Sequence, residues 1–81
     1  MAVTEVERRI LRFFQEHPHA VETCRGIAAW MAVDGSAIEQ ALHGLVTRNW
    51  LNSHETSCVK AYSLTTDERL LTRIQESLGS V

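Results

Sequence analysis

Apolar residues recur along this chain at helical spacing in four separate segments, and at alternating spacing in one. In the first segment Val6, Ile10, Phe13 and Phe14 form one stripe, joined by Leu11. Thr4 and Glu7 stand three apart ahead of it, the spacing of a capping box, and His17-Pro18 closes it near Glu16. A second segment places Cys24, Ile27, Ala28 and Met31 on one face, with Thr23 positioned as its cap and Cys24 turned to the core. Gly26 within it suggests a close approach of helices. A third segment, Gly35 to Arg48, repeats Ile38, Ala41, Leu42 and Leu45 at i, i+3, i+4 and i+7. Asp34 stands at its N-cap, and Asn49 follows as a left-handed stop.

Two further stretches read as strands, Trp50 to Ser53 and Val59 to Leu64, with Tyr62 and Leu64 facing inward and residues 54–58 as the tip between them. Ala20-Val21-Glu22 reads as a short extended connector able to pair with that hairpin. The last helix carries Leu70, Leu71, Ile74 and Leu78. A capping box of Thr65 with Glu68 opens it, and Gly79 ends it. The stripes predict one core that holds Ile38, Leu42, Leu45, Tyr62 and Leu64 with Ile10, Phe14 and Ile27.

The segment from Ile27 to Leu51 organises this pattern: two helices joined by a short Gly-containing break at Val33-Asp34-Gly35. It resembles the winged helix-turn-helix of small regulators of the MarR and ArsR kind. The resemblance rests on the turn Ala32-Val33-Asp34, on Ile38, Leu42 and Leu45, on Arg48-Asn49, on Trp50-Leu51 opening the wing and on Leu64-Thr65 closing it. It covers roughly Val6 to Leu78. It implies a mainly α fold with a small β-hairpin wing, ordered helix, short strand, two helices, two strands, helix, as a single winged-helix domain over residues 1–81.

The resemblance implies a sequence-specific, DNA-binding transcriptional regulator. The helix over 35–48 would enter the major groove, and the hairpin over 50–64 would serve as the wing. The residues that would face DNA are Ser36, Ala37, Glu39, Gln40 and His43, beside Gly35. Gln40 can bond adenine through two hydrogen bonds, Glu39 can accept from cytosine, and Ser36 can meet a phosphate or a base. Phosphate contacts fall to Arg25, Arg48, His54 and Lys60, and to His43 when protonated. Such regulators read paired half-sites, so a homodimer through the first and last helices follows, held by leftover apolar residues such as Leu11 or Leu71.

Charge changes this picture. Eight Lys and Arg face ten Asp and Glu, a net charge of −2. Phosphate neutralisation supplies much of the affinity for DNA, so binding here must rest on local placement of few cations. Members of the resembling family that bind DNA carry Arg or Lys on the recognition face and at the wing tip. This chain has Glu39 on that face and Glu55 at the tip. The alternative is a winged-helix module that binds protein and not DNA.

Other chemistry finds little support. The chain has no Gly-rich phosphate loop, no catalytic carboxylate pair and no nucleophile elbow, so an enzyme is not expected. His17, His19, Cys24, His43, His54 and Cys58 are ligand types without metal-ligand spacing, and no metal or cofactor is expected. No signal sequence or transmembrane stretch is read, which points to a cytoplasmic protein with reduced Cys24 and Cys58, the second more exposed. Trp50 reads as core. Trp30 reads either as core edge or, if exposed, as an interface.

Overall fold

The computed structural model describes residues 3–57 and 59–79. Its elements follow the order α1 (Glu5–Glu16), β1 (Val21–Thr23), α2 (Cys24–Met31), α3 (Gly35–Thr47), β2 (Leu51–Glu55), β3 (Lys60–Leu64) and α4 (Glu68–Gly79). Three strands form one antiparallel sheet in the order β1-β3-β2. This is the winged helix-turn-helix, with β2 and β3 as the wing.

Local chemistry sets each boundary. Thr4 caps α1: the Glu7 N–H donates to Thr4 Oγ1 at 3.2 Å, and the Thr4 N–H donates to Glu7 Oε1 at 2.9 Å. Thr23 is both the last residue of β1 and the cap of α2, accepting from the Gly26 N–H at 3.0 Å. Both helices of the helix-turn-helix end in the same way. Ala32 is left-handed (φ 54°) and Val33 N–H reaches back to Ala28 O; Asn49 is left-handed (φ 65°) and Trp50 N–H reaches back to Leu45 O. The left-handed Asn49 agrees with the sequence reading, whereas a left-handed alanine at position 32 carries no sequence signal.

The core is one cluster. Ile10, Leu11, Phe14, Ile38, Leu42, Leu45 and Ile74 are fully buried, with Ile27, Met31, Trp50, Leu51, Tyr62, Leu64 and Leu78 around them. Every residue of the expected cluster is there, while Cys24, expected to turn to the core, is half-buried at its edge. Leu11 is a correction: it is wholly enclosed by its own chain and has nothing to offer a partner. Leu70 and Leu71 remain half-buried at the edge of the cluster. Arg9 joins α1 to the end of α2 by donating to the Met31 carbonyl at 3.4 Å.

Other details differ from the sequence reading. His54 and Glu55 are the last rungs of the wing ladder, opposite Ala61 and Lys60, and not part of its tip. The turn is closed by Thr56, whose N–H donates to Val59 O at 2.8 Å and whose Oγ1 accepts from the Val59 N–H at 3.2 Å. Hydrogen bonding by Thr56 thus does the work that Gly or Pro would otherwise signal. The cap of α4 is Asp67, whose Oδ1 accepts from the Arg69 N–H at 2.9 Å; Thr65 is buried and accepts from the Asp67 N–H. Gly79 is the last residue of α4 and not a stop beyond it. Gly26 faces the Glu22 and Thr23 side chains rather than another helix. Cys58, expected as the more exposed thiol, lies outside the described residues. No helix among the described residues is long and apolar enough to cross a membrane.

Candidate nucleic-acid interface

The buried stripe of α3 fixes what its other side presents. With Ile38, Ala41, Leu42 and Leu45 inward, Ser36, Glu39, Gln40 and His43 stand exposed at i, i+3, i+4 and i+7. Asp34 anchors the start of this face. Its carboxylate accepts from the Ser36 N–H at 3.2 Å and from the Ser36 hydroxyl. These hydrogen bonds, the side-chain one first, hold the Asp34 carboxyl below its ordinary pKa. Ser36 is therefore part of the cap, with its hydroxyl proton already committed.

The wing closes one side of that face. Ser36, Glu39, Gln40, His43 and Val46 line an open groove with Lys60 and Tyr62 of β3. A second groove continues across Glu39, Lys60 and Tyr62 to Thr23, Cys24 and Arg25 at the start of α2. Arg25, Glu39 and Lys60 thus line one groove, which puts a carboxylate beside two cations. Lys60 also stands directly across the ladder from Glu55. Its ammonium lies 6.0 Å from the centre of the Tyr62 ring.

Six of the nine expected residues gather here: Arg25, Ser36, Glu39, Gln40, His43 and Lys60. Ala37 is half-buried and turns with Gln40 toward the start of α1, beside Thr4, Val6 and Glu7. Arg48 and His54 go elsewhere. Arg48 caps the far end of α3, its guanidinium 5.3 Å from the centre of the Trp50 ring. His54 shares a sheet face with Ala61 and lies on the opposite face from Lys60, because neighbouring strand positions alternate sides. Its Nε2 is 2.7 Å from Ser63 Oγ.

Two residues of the site were read from the sequence only as core. Tyr62 is 5% exposed, yet it floors both grooves. Burial first, and then the nearby Cys24, Glu39 and Glu55, push its hydroxyl pKa up. The signal was present in its type, since an inward Tyr needs an outlet for its hydroxyl where Phe does not. Cys24 is half-buried, with its Sγ–H directed at the Gly35 carbonyl at 3.6 Å. Burial, and then Glu39, push this thiol pKa up as well, so it stays protonated. Among the described residues, no three of His, Cys, Asp and Glu gather as a metal site.

No protein-family model matches the chain, and no curated protein matches it. Solved structures do. The YusO protein from Bacillus subtilis superimposes with a TM-score of 0.76 at 22% identity, over 95% of this chain and 54% of that one. MepR, a transcription regulator of the Staphylococcus aureus multidrug efflux pump MepA, gives 0.73 at 18% identity, over 95% and 58%. A cysteine-to-serine mutant of Lactococcus lactis ZitR, solved in complex with DNA, gives 0.70 at 24% identity, over 90% and 49%. The chain spans about half the length of these proteins. At such identities the likeness is one of fold.

Proposed function

We propose that this chain is a DNA-binding transcriptional regulator that inserts α3 into the major groove and lays the β2–β3 wing along the neighbouring backbone. One observation carries the reading. The exposed face of α3 presents side chains able to pair with base edges, Glu39, Gln40 and His43, in a groove bordered by Lys60, with Arg25 in the groove beyond. The likeness in fold to a protein solved on DNA supports it.

In this mechanism Gln40 reads an adenine edge and Glu39 accepts from cytosine N4, while Ser36 and His43 take supporting contacts. Lys60 and Arg25 neutralise phosphates on either side. Glu39 sets the character of the complex: unless it finds a donor on a base, it repels the backbone that Arg25 and Lys60 attract. Binding is therefore weak on arbitrary sequence and depends on a matching base. Arg48 and His54 serve the ends of α3 and the wing rather than its centre. The regulator works in the cytoplasm as a homodimer through α1 and α4, where Leu70 and Leu71 offer half-buried apolar surface.

Selection from random duplexes at about 50 mM salt, a condition that favours phosphate contacts, tests this. An enriched sequence bound more tightly than its scrambled version is the expected result. If no duplex binds and none is enriched, the regulator reading fails and the same face must serve a protein.

A further inference from the structure

Away from the α3 face, α1, β1 and α2 enclose a cleft of 130 Å³ lined by Phe13, Glu22, Gly26, Ile27 and Trp30. We propose that it binds a small organic cation, an alkylated ammonium head of the quaternary type. This inference stands apart from the DNA reading and shares no residue with it.

The aromatic wall comes first. The Phe13 and Trp30 ring centres are 4.9 Å apart and their planes meet at 57°, so the two rings are tilted rather than flatly stacked, and both line the cleft. Trp30 is 61% exposed, although Phe13 packs against it and Ile27 beneath is buried. Much of the Trp30 side chain is therefore accessible to a ligand. Aromatic faces carry partial negative charge and attract cations.

Charge comes second. The Glu22 carboxylate lies over Gly26, where a Cβ would stand 2.9 Å from Oε2. Among the described residues this carboxylate has neither a hydrogen-bond nor an ion-pair partner. The chain fills its other cation–aromatic positions itself: Arg48 lies over Trp50 and Lys60 over Tyr62. Among the described residues, no Lys or Arg lies over Phe13 or Trp30; the His17 ring packs against Phe13 with centroids 5.2 Å apart, which leaves Trp30 as the main open ring. Both rings also stand in the last turn of their helices, at the negative ends of the helix dipoles, and neither last turn holds a basic residue.

Size comes third. Sites for drug-sized ligands begin at about 300 Å³. This cleft is smaller and takes a head group, not an extended molecule. Two aromatic rings and one carboxylate are the complement of a cation that cannot be satisfied by hydrogen bonds alone. A quaternary ammonium gains most there, because it loses little hydration on entering.

The test is a titration of the isotope-labelled chain with choline, followed at the Gly26 amide by NMR. Its neutral isostere, 3,3-dimethyl-1-butanol, runs in parallel at constant ionic strength. Saturable shifts with a Kd of about 1 mM are expected for choline, with the isostere about tenfold weaker. Trp30→Ala, at an exposed position, should abolish the choline shifts, and Glu22→Gln should weaken binding by about threefold or more. Gly26→Ala should weaken it as well, by driving the carboxylate from its place. Equal binding of choline and the isostere would reduce the cleft to an apolar dimple and overturn the proposal. So would unchanged binding in both Trp30→Ala and Glu22→Gln, or no saturation up to about 100 mM.

Discussion

The carboxylate of Glu7 on α1 rests against the bare α-carbon of Gly44 on α3, so that a Cβ at position 44 would stand 2.9 Å from Oε2. Glu7 is buried, and its other oxygen holds the Thr4 N–H in the capping box. An alanine at 44 would gain about 1 kcal/mol of helix propensity. It would also push Glu7 away and weaken a hydrogen bond worth about 1 kcal/mol. The two effects nearly cancel. Gly44→Ala alone should therefore change stability little, whereas in a Glu7→Ala background it should stabilise by about 1 kcal/mol. Urea unfolding of the four-member cycle measures this, and strict additivity would contradict the contact.

Ala32 carries a left-handed conformation at the turn between α2 and α3. An L-residue with a Cβ is disfavoured there by about 1–2 kcal/mol. Ala32→Gly should raise stability by about 1 kcal/mol, since glycine accepts this geometry without the steric cost. Thermal and denaturant unfolding report the change directly. A loss of stability would mean that the exposed methyl contributes more than its strain costs.

Arg48 is held over Trp50 at the end of α3, so its first role is structural. Arg48→Ala should cost about 0.5–1 kcal/mol of stability. Its effect on DNA affinity should be smaller than that of Lys60→Ala. The reverse order, seen by unfolding and by duplex titration, would move Arg48 into the interface.

Glu39 raises the pKa of Cys24 after burial has done so. The folded thiol therefore yields less thiolate at neutral pH than a free cysteine. In a Cys58→Ser background, alkylation of Cys24 by iodoacetamide should be slower than in the unfolded chain. Glu39→Gln should quicken it at the same pH. Because the pKa is raised, protonated Cys24 favours the folded state, and this contribution fades as pH climbs through the folded value. An alkylation rate indifferent to Glu39→Gln would separate the two residues.

The DNA reading divides the groove residues by what they should change. Gln40→Ala should cost about 1–3 kcal/mol at the selected sequence and little elsewhere. Lys60→Ala should weaken binding to every duplex and lower the slope of log affinity against log salt by about 0.9. Glu39→Gln should tighten binding to unselected DNA by removing a charge that repels phosphate. Uniform losses from all three would identify a face without base reading.

Much of the fold was legible because each helix has one apolar stripe and a strong cap. Thr4 with Glu7, Thr23 and Asp34 each mark a helix start by a side chain whose hydrogen bond is local, and local bonds can be read from spacing. The errors fell where the deciding contact is not in the pattern. Asp67 displaced Thr65 as the cap of α4 because Thr65 is buried and its hydroxyl accepts from the Asp67 N–H instead. His54 left the tip because Thr56 closes the turn two residues later. Within the candidate site, helical spacing found the α3 face. Arg48 and His54 could not be assigned that way, because an aromatic neighbour and strand register decide where each side chain goes. The cleft lined by Phe13 and Trp30 depends on how two helices cross, which no single segment encodes.

Thr23 closes β1 and opens α2 with no residue between them, while β1 pairs with the return strand of the wing from Val21 opposite Ser63 to Thr23 opposite Ala61. Strand and helix therefore share a pivotless joint. The wing is tied to α2 through β1, and α3 joins that unit at both of its ends, through the short turns Ala32–Asp34 and Arg48–Trp50. The distance from helix to wing is thus preset, like the span of a fixed-jaw wrench, and a surface gripped by both must already have that gauge or be bent to it.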